Sequence, residues 1–187
     1  MRGRLLAALV VSVAVASCGD DTESSDTFRS PVYGYEMAVP IGWSTLPANH
    51  ELEPGEAPLL GPLGTDVVAA RAARTVQEMT LPAIVVGAQP VDAGTDLEEW
   101  ADEVADIVAG FKGCADPAST DDITVGDEPA ILLTYPDCPE GLGLDHRWVA
   151  LVEGDRGFQF VWFDESGGGA ADRSQFEQIL STVSFAS

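Results

Sequence analysis

The sequence predicts an α+β fold, a mainly antiparallel β-sheet covered by helices on both faces. Three observations carry that prediction. Strand-like runs follow one another from Ile123 to Phe163 with turn residues between them. The central runs, Arg147–Glu153 and Phe158–Phe163, are apolar on alternate residues of both faces, so neither face is left to water. An amphipathic helix over Thr95–Phe111 and a shorter one over Asp172–Thr182 are available to cover such a sheet.

The chain opens MRGRLLAALVVSVAVASC. Arg2 and Arg4 form a basic start, Leu5–Val15 is an uncharged and mostly apolar run, and Ala16 and Ser17 are small. The run falls short of the roughly 20 residues a bilayer core needs, so residues 1–17 read as a secretory signal and not as a span. Val15-Ala16-Ser17-Cys18 resembles the lipobox of bacterial lipoproteins. That resemblance implies cleavage before Cys18, a diacylglyceryl thioether on its sulfur and an acylated (palmitate-type) new N-terminus. Several buried chains at about 0.8 kcal/mol per CH₂ make a firm anchor. The expected location is the extracytoplasmic face of the cell membrane. Residues 18–31, polar and acidic until Phe28, read as a flexible tether; residues 32–187 read as one globular domain. Asp20, Asp21, Glu23 and Asp26 do not have the spacing of an EF-hand loop and read as solvated charge.

Along the domain, Tyr35, Met37 and Val39 alternate with Glu36 and Ala38 as in a strand, and Pro40 and Gly42 turn the chain into Trp43. Ala48–Gly64 is rich in Pro, Gly and Glu and reads as a loop. Asp66–Glu78 fits either a strand or a short helix, and Leu81–Val91 reads as a strand with Pro82 at its start. Thr95-x-x-Glu98 has the form of a capping box. Leu97, Trp100, Ala101, Val104, Ile107, Val108 and Phe111 then form one apolar stripe, and Gly110 and Gly113 end the helix. Ile123–Val125 turns through Gly126-Asp127 into Ala130–Tyr135; Arg147–Glu153 turns through residues 154–157 into Phe158–Phe163. Ser166–Ala171 reads as a glycine-rich hinge, and Phe176, Ile179, Leu180 and Val183 mark one face of the last helix before a terminal strand in VSFAS.

YGYEMAVPIGW, RGFQFVWF and FEQILSTVSF together resemble the PsbP-like fold and the LpqN-type lipoproteins of actinobacteria, over Val32–Ser187. The resemblance implies an α/β/α sandwich and an accessory or binding role without a known reaction. It assigns no binding residue to a position in this chain.

The formal charge is −22 for the 187-residue chain and −24 once Arg2 and Arg4 are removed. Such a chain repels nucleic acid, and it has no basic stripe to offset that. With Cys18 acylated, Cys114 and Cys138 remain. An even pair in an exported chain reads as a disulfide worth roughly 3.5 kcal/mol for so long a loop; a redox or metal thiol pair is the weaker reading, since no CxxC is present.

Only His50 and His146 supply imidazoles, and His50 does not open an HExxH motif. GxSxG is absent around Ser166, Gly167–Gly169 lacks the Lys-Ser/Thr of a phosphate loop, and GLGLDH lacks the third glycine of a dinucleotide fingerprint. Asp121, Asp122, Asp127 and Glu128 read as turn acids, and Trp43, Trp100, Trp148 and Trp162 as packing more than sugar stacking. No cofactor, metal or catalytic residue is assigned. The expected function is a monomeric, membrane-anchored, non-enzymatic module for an envelope protein or an apolar ligand. The alternative is a cell-surface hydrolase built on scattered acids and His146.

Overall fold

The computed structural model describes residues 26–48, 64–73, 78–110, 114, 116–135, 144–165 and 170–186. The elements, in order, are β1 (Asp26–Arg29), β2 (Tyr35–Val39), β3 (Ser44–Leu46), β4 (Asp66–Arg71), β5 (Thr80–Pro90), α1 (Leu97–Gly110), β6 (Ser119–Val125), β7 (Glu128–Tyr135), β8 (Leu144–Glu153), β9 (Arg156–Glu165), α2 (Ala170–Leu180) and β10 (Ser184–Phe185). They build a seven-stranded sheet, β3-β4-β5-β9-β8-β7-β6, and a three-stranded sheet, β1-β2-β10. All neighbouring strands run antiparallel.

The large sheet is apolar on both faces because its central strands are apolar at every step of the pleat. Phe158, Phe160 and Trp162 of β9, with Val149 and Leu151 of β8 and Ile84 and Val86 of β5, build the core on one face. Val161 and Phe163, with Trp148, Ala150, Ala83 and Val85, build the core on the other. The both-faces-buried reading of these strands is therefore correct.

The second core is closed by α1, which buries Trp100, Ala101, Val104 and Val108. Each of the large ones contributes about 1.5–3 kcal/mol of burial. The helix begins one residue later than the sequence pattern indicates. Asp96 Oδ1 accepts the Glu99 amide N–H at 2.8 Å, so Asp96-x-x-Glu99 caps the helix, and Thr95-x-x-Glu98 does not. Trp100 fixes the helix to the sheet: its Nε1–H donates to the Phe158 carbonyl at 2.9 Å. Its indole lies on Gly157, where a Cβ would come within 2.5–2.7 Å of the ring. Gly157 is thus a strand residue in β9; the turn between β8 and β9 is only Gly154-Asp155.

The first core is not closed by a helical layer alone, and here the expectation of helices on both faces needs correction. The three-stranded sheet lies over this face through Phe28, Tyr35, Met37 and Val39, and Phe176, Ile179 and Leu180 of α2 join the same core. The sheet forms because β2 is flanked by both ends of the domain: Phe28 pairs with Met37 on one side and Phe185 with Tyr35 on the other. β1 falls inside the stretch read from sequence as tether. Phe28 is buried against the first core, so β1 belongs to the folded part. No helix among the described residues is long and apolar enough to cross a membrane.

Candidate functional site

The buried polar groups are the places where this core departs from simple packing. The first is Asp66 at the start of β4, which is 0% exposed. Its Oδ2 accepts the Tyr35 hydroxyl at 2.9 Å and its Oδ1 accepts the Ala48 amide N–H at 2.6 Å. Tyr33 adds a hydroxyl donated to the Gly64 carbonyl. Gly64 has φ +90°, and its α-carbon lies so close to the Ala48 carbonyl that a side chain there would collide with it. Ala48 and Gly64 are thereby held together at the edge of the first core. Burial, reinforced by the neighbouring Asp66 carboxylate, pushes the Tyr35 hydroxyl well above the ordinary tyrosine range. Burial also raises Tyr33. These three side chains are a structural clasp, since each polar atom in it has a partner.

The second lies where β8 and β9 pair on the same face of the large sheet. Arg147 of β8 sits directly opposite Trp162 of β9, and Asp164 follows two residues along β9 on the same face. Arg147 is 9% exposed, Trp162 0% and Asp164 6%. Arg147 Nη1 and Trp162 Nε1 are buried donors with no acceptor among the described residues. Trp43, in the short segment between β2 and β3, stacks on Trp162 with ring centroids 6.1 Å apart, and Phe176 of α2 lies on Trp162 at 5.3 Å. Trp43 reaches this position because Gly42 takes φ +82° and the Trp43 N–H closes a turn on the Pro40 carbonyl. The same turn leaves Ile41 60% exposed, the only large apolar side chain so exposed among the described residues.

The residues singled out from sequence are scattered. Cys18, His50 and Cys138 lie outside the described residues. Cys114 packs against the second core and is disulfide-bonded. His146 is half-buried on β8 with its ring 4.9 Å from that of Phe163, on the opposite face of the sheet from Arg147. Asp121 and Asp122 lie on edge strand β6, Asp127 and Glu128 at the β6–β7 turn. No group of three or more His, Cys, Asp or Glu side chains is placed to hold a metal among the described residues. Trp100, Trp148 and Trp162 are core residues, as the packing reading requires. Arg147, Asp66 and Asp164 went unnoticed in sequence. Arg147 and Asp164 lie in or beside long apolar runs, and a charge inside such a run is the one available signal.

No protein-family model and no curated protein matches this chain. Among solved structures, the chain is similar to the solution structure of cyanobacterial PsbP (CyanoP) from Synechocystis sp. PCC 6803. The TM-score is 0.59 at 14% identity, over 92% of this chain and 99% of that one. It is also similar to a crystal structure from Bacteroides thetaiotaomicron VPI-5482, with a TM-score of 0.52 at 13% identity, over 87% of this chain and 49% of that one. The chain has a PsbP-like fold.

Proposed function

We propose that this chain is a lipid-anchored extracytoplasmic module that binds an envelope protein or an apolar ligand and carries out no reaction of its own. The observation that carries the reading is the PsbP-like fold, shared over nearly the whole domain with a protein of matching length. The Val15–Cys18 lipobox supports the anchor, with acylated Cys18 followed by a short acidic linker up to β1. A disulfide between Cys114 and Cys138, consistent with an oxidising compartment, completes the reading. The LpqN-type likeness belongs with the same proposal.

Crosslinking in intact envelopes, followed by mass spectrometry of the captured species, tests it. The expected result is one reproducible envelope protein or co-purifying apolar molecule, lost when Leu151→Asp unfolds the first core. Turnover of an ester, glycoside or peptide substrate that disappears in His146→Ala would replace the module with the hydrolase.

A further inference from the structure

Ile41 sits at the apex of the turn that carries the chain from the small sheet into the large one. The Trp43 N–H donates to the Pro40 carbonyl at 3.1 Å and Gly42 has φ +82°, the geometry of a type II turn with Ile41 at its second position. Turns favour Gly, Pro, Asn, Asp and Ser. Here a β-branched apolar side chain stands 60% exposed, the only large apolar one so exposed among the described residues. A single exposed apolar residue needs no explanation by itself. The place of this one does. Met37–Asn49 contains no charged residue, in a chain with 31 Asp and Glu. The register of the small sheet sets Asp26 opposite Val39, so the chain enters the domain beside the strand end from which the turn leaves. Cys18 lies eight residues before Asp26. Eight residues reach at most about 29 Å.

We propose that the Pro40–Trp43 turn rests on the lipid bilayer that holds the anchor, with Ile41 seated in the interfacial layer, and so fixes which end of the domain faces the membrane. The proposal rests on the reading of Cys18 as the lipid anchor. One isoleucine is too little apolar surface to hold a domain on a membrane alone. An anchor within that reach makes the contact intramolecular and raises its effective concentration. Trp43, half-buried behind Ile41, is a residue type that suits the interface. Ser44 and Thr45, both exposed, offer hydroxyls to headgroups. Charge does not draw the domain down, because a chain of formal charge −22 is repelled by anionic lipid. The apolar contact is therefore what orients it. The Gly154-Asp155 turn then points away from the membrane, since β9 runs about 20 Å from Arg156 to Trp162, on which Trp43 stacks.

The test places the full lipidated chain in phosphatidylcholine vesicles, with and without a phosphatidylcholine bearing a nitroxide high on its acyl chain, and follows tryptophan emission. Trp100, Trp148 and Trp162 are buried, which leaves Trp43 beside the lipid. The nitroxide should quench roughly a quarter of the emission, the share of one tryptophan in four. Ile41→Asp should lose at least half of that quenching while still floating with the vesicles and keeping the native urea midpoint, and Ile41→Leu should retain it. A native chain that floats but is not quenched, or equal quenching in Ile41→Asp, overturns the proposal and leaves the anchor standing. Emission shielded from iodide without nitroxide quenching overturns it too, since a second copy then covers the turn. A lowered midpoint in Ile41→Asp makes Ile41 a packing residue, with the same consequence. A chain that carries no lipid and does not float overturns both the turn's role and the anchor.

Discussion

Removing the Asp66 carboxylate should destabilise the domain far more than an average substitution. In Asp66→Ala two hydrogen bonds to a charged acceptor are lost, from the Tyr35 hydroxyl at 2.9 Å and the Ala48 N–H at 2.6 Å. Bonds of that kind are worth about 1.5–3 kcal/mol each, and both donors stay in a region closed to water. Removing the charge also relieves its desolvation, which offsets part of the loss. The expected net cost is about 3–5 kcal/mol, a large share of the roughly 5–15 kcal/mol available to a domain. Asp66→Asn keeps one acceptor oxygen and should cost about half as much. Tyr35→Phe removes a single donor and should cost about 1.5–3 kcal/mol. Urea unfolding at pH 7 measures all three, and the double variant closes a cycle with a Tyr35–Asp66 coupling of about 1–3 kcal/mol. A loss below about 1 kcal/mol in Asp66→Ala, or a coupling near zero, would refute the clasp.

Other outcomes follow from the same geometry. The chain has three tyrosines, and burial raises all three hydroxyls above the ordinary value of 10.0. Above that pH the unfolded chain loses protons that the folded chain keeps. Stability should therefore be flat with respect to these groups below about pH 9 and fall as pH rises further, by up to about 1.4 kcal/mol per pH unit per tyrosine. Urea midpoints from pH 8 to 11 check this, and a rise over that range contradicts it. Gly157→Ala drives a methyl group into the Trp100 ring and should cost about 1–3 kcal/mol, read from thermal unfolding; an unchanged midpoint would mean that α1 is not seated on β9 as described.

The meander was legible because β7 to β9 are apolar runs separated by short turns, Gly126-Asp127 before β7 and Gly154-Asp155 before β9. The helix cap was misread by one residue because Thr95-x-x-Glu98 and Asp96-x-x-Glu99 overlap, and only the donor geometry selects Asp96. β4 stayed ambiguous since Asp66–Arg71 mixes valine with alanine; its strand character comes from pairing with β5. The three-stranded sheet was hidden for a different reason. It joins Ser184 to Glu36, residues from opposite ends of the domain, through strands of four, five and two residues that carry little periodic signal. Asp66 was unreadable for the same cause, since its partners lie 18 and 31 residues away. The sequence pattern starts this strand at Arg147; in the fold β8 begins three residues earlier, at Leu144, so Arg147 lies within the strand and in the buried part of the sheet.

The proposed anchor holds the PsbP-like domain at a membrane by its own N-terminus. Intact-mass analysis of the protein extracted from its native membranes measures this directly. The expected species begins at Cys18 and carries the added mass of a diacylglyceryl group and an amide-linked acyl chain, and Cys18→Ala releases the domain from the membrane fraction. A water-soluble chain of unmodified mass, beginning beyond Cys18, would contradict the account.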